Sequence, residues 1–127
     1  MAKFVHDDVL DNGLAYLKSN GGRECLCSAQ PTTYDEAITT YKLADVDIDS
    51  ADFTGPANGD TSGRKLTCNQ QTGVSVDTTG TATHVAIVKT TATTALLVVT
   101  TCTSQSVTQG NTCTINAFDL EIADVTP

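Results

Sequence analysis

Threonine supplies 23 of the 127 residues, clustered in runs such as Thr90-Thr91-Ala92-Thr93-Thr94, and this bias constrains the fold more than any other feature of the chain. A β-branched side chain is stiff at χ1 and crowds a helix, whereas on a pleated strand it packs well and leaves a hydroxyl that tolerates water. A chain so composed is expected to form sheets, and sheets rich in threonine suit a two-sided or assembly-facing surface.

Only the start of the chain departs from this. Val9, Leu10, Leu14 and Leu17 recur near the helical period, Asp7 or Asp8 can cap the first turn, and Gly21-Gly22 ends the run, so the spacing predicts a helix over 7–20. Arg23 to Ala29 then looks like a short buried strand closed by Gln30-Pro31, and Tyr34 to Tyr41 is ambiguous, with room for one helical turn. Ala44, Val46 and Ile48 alternate with Asp45, Asp47 and Asp49 as in a strand with one wet face.

The segment Gly55 to Gly63 is dense in turn residues and reads as a loop before a strand at Arg64 to Gln70, with Leu66 and Cys68 on one side. Further pieces follow at Val74 to Val76, at Ala82 to Lys89 with both faces apolar, at Ala95 to Thr100 as a second central strand, and at Thr112 to Ile122. Seven or eight short antiparallel strands behind one N-terminal helix describe a mainly β fold, a β-sandwich or jelly-roll-like barrel. At this length a single domain is expected over 1–127, with an arm and helix over 1–22 and the sandwich over 23–127.

Fifteen acidic against seven basic side chains give a formal charge of −8, which repels nucleic-acid phosphates and anionic membranes and excludes both as expected partners. The apolar stretch Ala95 to Val99 is far short of a membrane span. The first residues turn acidic where a secretory signal would become apolar, so synthesis in the cytosol is expected.

In such a compartment Cys25, Cys27, Cys68, Cys102 and Cys113 are expected as reduced thiols packed as small apolar groups. Cys25 and Cys27 are poorly placed to bridge each other on one strand, and the odd count leaves a thiol free to form an intermolecular disulfide in an oxidising medium.

Asp45, Asp47 and Asp49 have the spacing of the first half of an EF-hand loop, but Ser50 stands where that loop needs glycine and Pro56 where it needs glutamate. Cys25 and Cys27 have one residue between them rather than the two to four of a zinc knuckle, so no metal or other cofactor is expected. His84 could face Cys25 or Cys27 in space, as a thiol-dependent enzyme would require. No local signature accompanies the pair, and no phosphate loop, nucleophile elbow or zinc helix occurs elsewhere, so no catalytic residue is assigned.

Five segments carry a resemblance: Phe4-Val5-His6-Asp7-Asp8-Val9-Leu10-Asp11, Cys27-Ser28-Ala29-Gln30-Pro31-Thr32-Thr33-Tyr34, Leu43-Ala44-Asp45-Val46, Gly59-Asp60-Thr61-Ser62-Gly63-Arg64-Lys65 and Thr81-Ala82-Thr83-His84-Val85-Ala86. Together they resemble small proteins encoded among the virion structural genes of tailed bacteriophages and prophages. The resemblance implies a non-enzymatic structural protein of the particle, made in the bacterial host cytoplasm and located in the virion. Its expected role is a capsid decoration or cement protein that stabilises the shell through subunit contacts.

The alternative is a neck, collar or tail component, acting as connector or adhesin; a small thiol-dependent enzyme is the third reading. The implied partners are the major capsid protein or neck and tail proteins, and further copies of the chain. Phe4, Val5, Val9 and Leu10 are the expected partner-binding residues, because apolar side chains precede and open the helix; the competing expectation is that this segment packs on its own sandwich.

Overall fold

The computed structural model describes residues 6–123. The expected partner-binding residues Phe4 and Val5 lie outside them. Helix α1 spans Asp7–Asn20. Its cap is His6 and not an aspartate: the imidazole Nδ1 accepts the Asp8 backbone N–H at 3.1 Å, while Asp7 and Asp8 sit inside the first turn, where their charge favours the helix dipole. Leu10, Leu14 and Leu17 form the buried stripe. At the far end Gly21 and Gly22 are required by close approach: a Cβ on Gly21 would lie 3.0 Å from the Phe53 ring, and one on Gly22 would collide with the Thr90 side chain.

Among the described residues nine strands follow, all paired antiparallel: β1 Arg23–Cys27, β2 Lys42–Asp47, β3 Phe53–Asn58, β4 Arg64–Cys68, β5 Gln71–Ser75, β6 Gly80–Lys89, β7 Ala95–Val107, β8 Thr112–Ile115 and β9 Phe118–Ile122. They form a four-stranded sheet in the order β2-β1-β6-β7, a three-stranded sheet β3-β4-β9 and a two-stranded sheet β5-β8. The fold is mainly β and sandwich-like, as the threonine bias predicts.

The four-stranded sheet is the common wall. On its inner face Leu26, Ala44 and Val85 meet Val74, Val76 and Ile115 of the β5-β8 side, and further along Ile87 meets Leu66, Cys68 and Phe53 of the β3-β4-β9 sheet together with Leu14 and Leu17 of α1. On its outer face Cys25, Cys27, Ala86 and Val88 are roofed by Tyr34, Ala37 and Ile38. The ambiguous segment is therefore a short helical lid, a π-helical turn over Glu36–Thr40. Because β6 is covered on both faces, Val85 to Val88 are all buried, which is why that run reads as apolar throughout.

Three strand expectations need correction. The segment expected as a loop from Gly55 begins inside β3, an edge strand whose register shifts between Thr54 and Ala57, where Pro56 is tolerated because an edge can do without its N–H. The run Thr112 to Ile122 is two strands in two different sheets, parted at Asn116-Ala117. The run from Ala95 is not central: β7 extends to Val107 and forms the edge of the main sheet, paired with β6 alone.

The helix is part of the core and not a detachable arm, with Arg64 of β4 adding a two-pronged contact to Asp11 at 2.7 and 3.3 Å. Leu14 is 0 % exposed, so Leu14→Ala is expected to lower unfolding stability by about 2–5 kcal/mol in a denaturant titration. A loss below about 1 kcal/mol would show that α1 does not support the sandwich.

Candidate functional site

The five cysteines divide into two groups. Cys25, Cys27 and Cys68 are buried, and burial is the main cause that pushes their thiols up to about 12, 11 and 12 respectively; for Cys68 the negative charges of Glu24 and Asp119 add to it. Cys102 and Cys113 are half-buried with smaller upward shifts. Arg23 and Lys42 pull the Cys25 thiol down, but burial outweighs them, so none of the five thiols is lowered as a nucleophilic cysteine needs.

His84 does stand directly opposite Cys27 across the β1–β6 ladder. Yet the Cys27 sulfur is turned to the Ala37 carbonyl at 3.7 Å, and His84 Nδ1 is paired with the Thr83 hydroxyl at 2.8 Å. The register brings the pair together without activating it.

The acidic strand is a set of surface ion pairs. Asp45 lies 3.5 Å from Arg23 and 3.6 Å from Lys42, Asp47 is paired with Arg23, and Asp49 caps the short 3-10 turn at Ser50–Asp52. Among the described residues no group of three or more His, Cys, Asp or Glu side chains could hold a metal ion. Of the expected partner-binding residues within the described range, Val9 is 65 % exposed, whereas Leu10 is 5 % exposed and is committed to the chain's own packing.

Two features lie outside the expectations drawn from the sequence, although the sequence carries a signal for each. The first is Glu24, which shares the inner face of β1 with Leu26 and is buried, with Oε2 lacking any hydrogen-bond partner. Burial, with the charge of Asp52 adding to it, pushes its carboxyl up to about 7. The signal is present in the alternation, since Glu24 is two residues from an inward leucine, but strand periodicity alone does not say that the opposite layer is closed over it.

The second is a distribution of charge. From Thr90 to Phe118, 29 consecutive residues contain no Asp, Glu, Lys, Arg or His. This neutral run builds β7 and β8, each of which has one unpaired edge. Between them opens a cleft of about 470 Å³, walled by Thr100 to Gln105 and Thr114 to Phe118 and floored by the core residues Leu26 and Val85. Along β7 the residues Ala95 to Thr100 are only half-buried although five of the six are apolar, and Thr103 to Ser106 are exposed.

The other edge of the same sheet is differently built. Strand β2 carries Lys42, Asp45 and Asp47 along its length, and Lys42 also reaches Asp77 at 3.2 Å. Charges on an edge strand discourage pairing with another chain, and β7 has none. The arrangement offers contact surface more than it offers chemistry.

With a thiol reagent at neutral pH, Cys25, Cys27 and Cys68 are expected to stay unmodified until the chain is unfolded, while Cys102 and Cys113 react; native-state labelling of Cys25 or Cys27 would contradict the burial described. Glu24 supplies a second expectation. The folded state holds its proton more tightly than the unfolded chain does, so its contribution to stability is full below about 4.5, falls as pH rises, and is lost above about 7, a change of about 3 kcal/mol. Glu24→Gln should therefore be stabilised relative to the unsubstituted protein at alkaline pH and not at acidic pH, read as a pH-dependent difference in denaturation midpoint. An equal difference at every pH would show that Glu24 is not the titrating group. No family model, curated protein or solved structure matches the chain.

Proposed function

We propose that this chain is a non-catalytic structural protein of a tailed-phage particle, carried on the capsid as a decoration or cement protein. It acts by burying surface across neighbouring subunits. The observation that carries the contact role is the 29-residue neutral run, which places unguarded strand edges on an otherwise acidic molecule. The particle is suggested by the resemblance of the five segments to virion proteins, and the capsid exterior suits a charge of −8, which packaged DNA would repel.

The buried cysteines fit the same reading. A thiol pushed up to about 12 holds almost no thiolate at neutral pH, and the one cysteine that faces a histidine donates to a backbone carbonyl. A protein that works by binding needs shape and strand edges instead.

In purified particles of the phage or induced prophage that encodes the chain, the protein is expected in amounts approaching those of the major capsid protein, read from a stained gel. A few copies per particle would move it to the neck, collar or tail, and its absence from particles would overturn the virion reading altogether.

A further inference from the structure

The free edge of β7 points to a second copy of this chain. We infer that two copies pair β7 against β7 in antiparallel fashion about a twofold axis, joining their main sheets into one eight-stranded sheet.

Several observations converge on that partner. Strand β7 is the longest in the molecule at 13 residues, a span of about 44 Å, and one side of its backbone is unpaired. An edge strand is normally defended by charge, proline or short length; β7 has no charged residue, no proline and no glycine. Its two register shifts against β6, between Ala82 and His84 and between Ile87 and Val88, leave the stretch Val98 to Thr101 regular between them, so the middle of the edge can accept a ladder.

Charge selects the partner. Two copies that each carry −8 repel wherever their acidic surfaces face each other, and the neutral segment is where they can approach at least cost. Antiparallel pairing of one strand with its own copy is self-complementary, so a single strand closes a dimer without leaving a new edge to propagate. The half-exposed Leu96, Leu97, Val98 and Val99 would then each gain a neighbouring strand on the side that now faces solvent. The opposite edge of the main sheet, β2, keeps its ion pairs and is already met by the segment after β5, where Ala44 bridges Val76 and the Leu43 carbonyl accepts the Asp77 and Thr78 backbone N–H groups.

This inference does not rest on the virion role: a dimer could form with the chain absent from any particle, and a decoration protein could be monomeric before it meets the shell. The two can fail separately.

The test is the mass of the full chain in reducing buffer by light scattering and sedimentation, against a variant carrying Thr101→Lys and Thr103→Lys, both at exposed positions. The unsubstituted protein should dimerise at micromolar concentration, and the variant should keep its circular dichroism spectrum while its dissociation constant rises by at least about tenfold. The two lysines move the net charge toward zero, so weaker association cannot be laid to added general repulsion. In dimers mixed from labelled and unlabelled copies, intermolecular backbone contacts should fall within 95–107. A chain that stays monomeric, a dimer that disappears on reduction, a variant that dimerises as before, or contacts that map to another strand would each overturn the inference.

Discussion

Everything in this molecule is hung on the pairing of β1 with β6. Cys25 faces Ala86 and Leu26 faces Val85 across that ladder, and the two strands are covered on both sides. The inner side takes the two smaller sheets and the helix; the outer side takes the short lid at Tyr34 to Tyr41. Water is excluded from both faces, so backbone hydrogen bonds and apolar burial reinforce each other there, and parallel layers of core grow outward from one pair of strands. The cysteines of β1 belong to this arrangement as compact apolar groups, and their raised thiols are a consequence of it. Glu24 is its one polar exception, held among apolar neighbours at the cost of an unmet hydrogen bond.

From that centre the main sheet ends in two unlike edges. At β2 the last strand is studded with paired charges, and its outer side is partly covered by Val76 to Thr78, whose backbone meets Leu43 and Ala44. At β7 the last strand is neutral and half-apolar, and the cleft beside it is floored by the core itself. The difference has no counterpart in the stability of the isolated fold, where an edge charge costs little. It divides the surface into a charged side and a neutral one. Placing every Asp, Glu, Lys, Arg and His outside residues 90–118 concentrates the acidic potential away from the neutral edge.

Much of the fold was legible in local pattern. The stripe of Leu10, Leu14 and Leu17 predicts α1 at the bounds observed, the apolar faces of Val85 to Val88 predict a strand buried on both sides, and Leu66 with Cys68 predicts the inward face of β4. What local pattern does not carry is the identity of a strand's neighbours. Ala95 to Val99 is as apolar as a central strand and sits at an edge, because pairing is decided by the whole topology. Phe53 to Asn58 contains the Gly-Pro of a turn and forms a strand, because an edge position forgives the missing N–H. For the site, composition and pattern assigned no role by themselves. The specific surface emerged only when the neutral run could be placed on two unpaired edges, and Leu10, expected at a partner, turned out to pack beneath its own helix.

The central claim is that β6 anchors the sheet while β7 is held from one side only. Residue-resolved amide hydrogen exchange on the dilute, fully monomeric chain tests it most directly. The account predicts that β1 and β6 contain the slowest-exchanging amides in the molecule and that β7 alternates, with amides directed at β6 protected and amides on its free edge exchanging rapidly. Uniform protection along Ala95–Val107 in the monomer would mean that the edge is already covered, and would contradict the account.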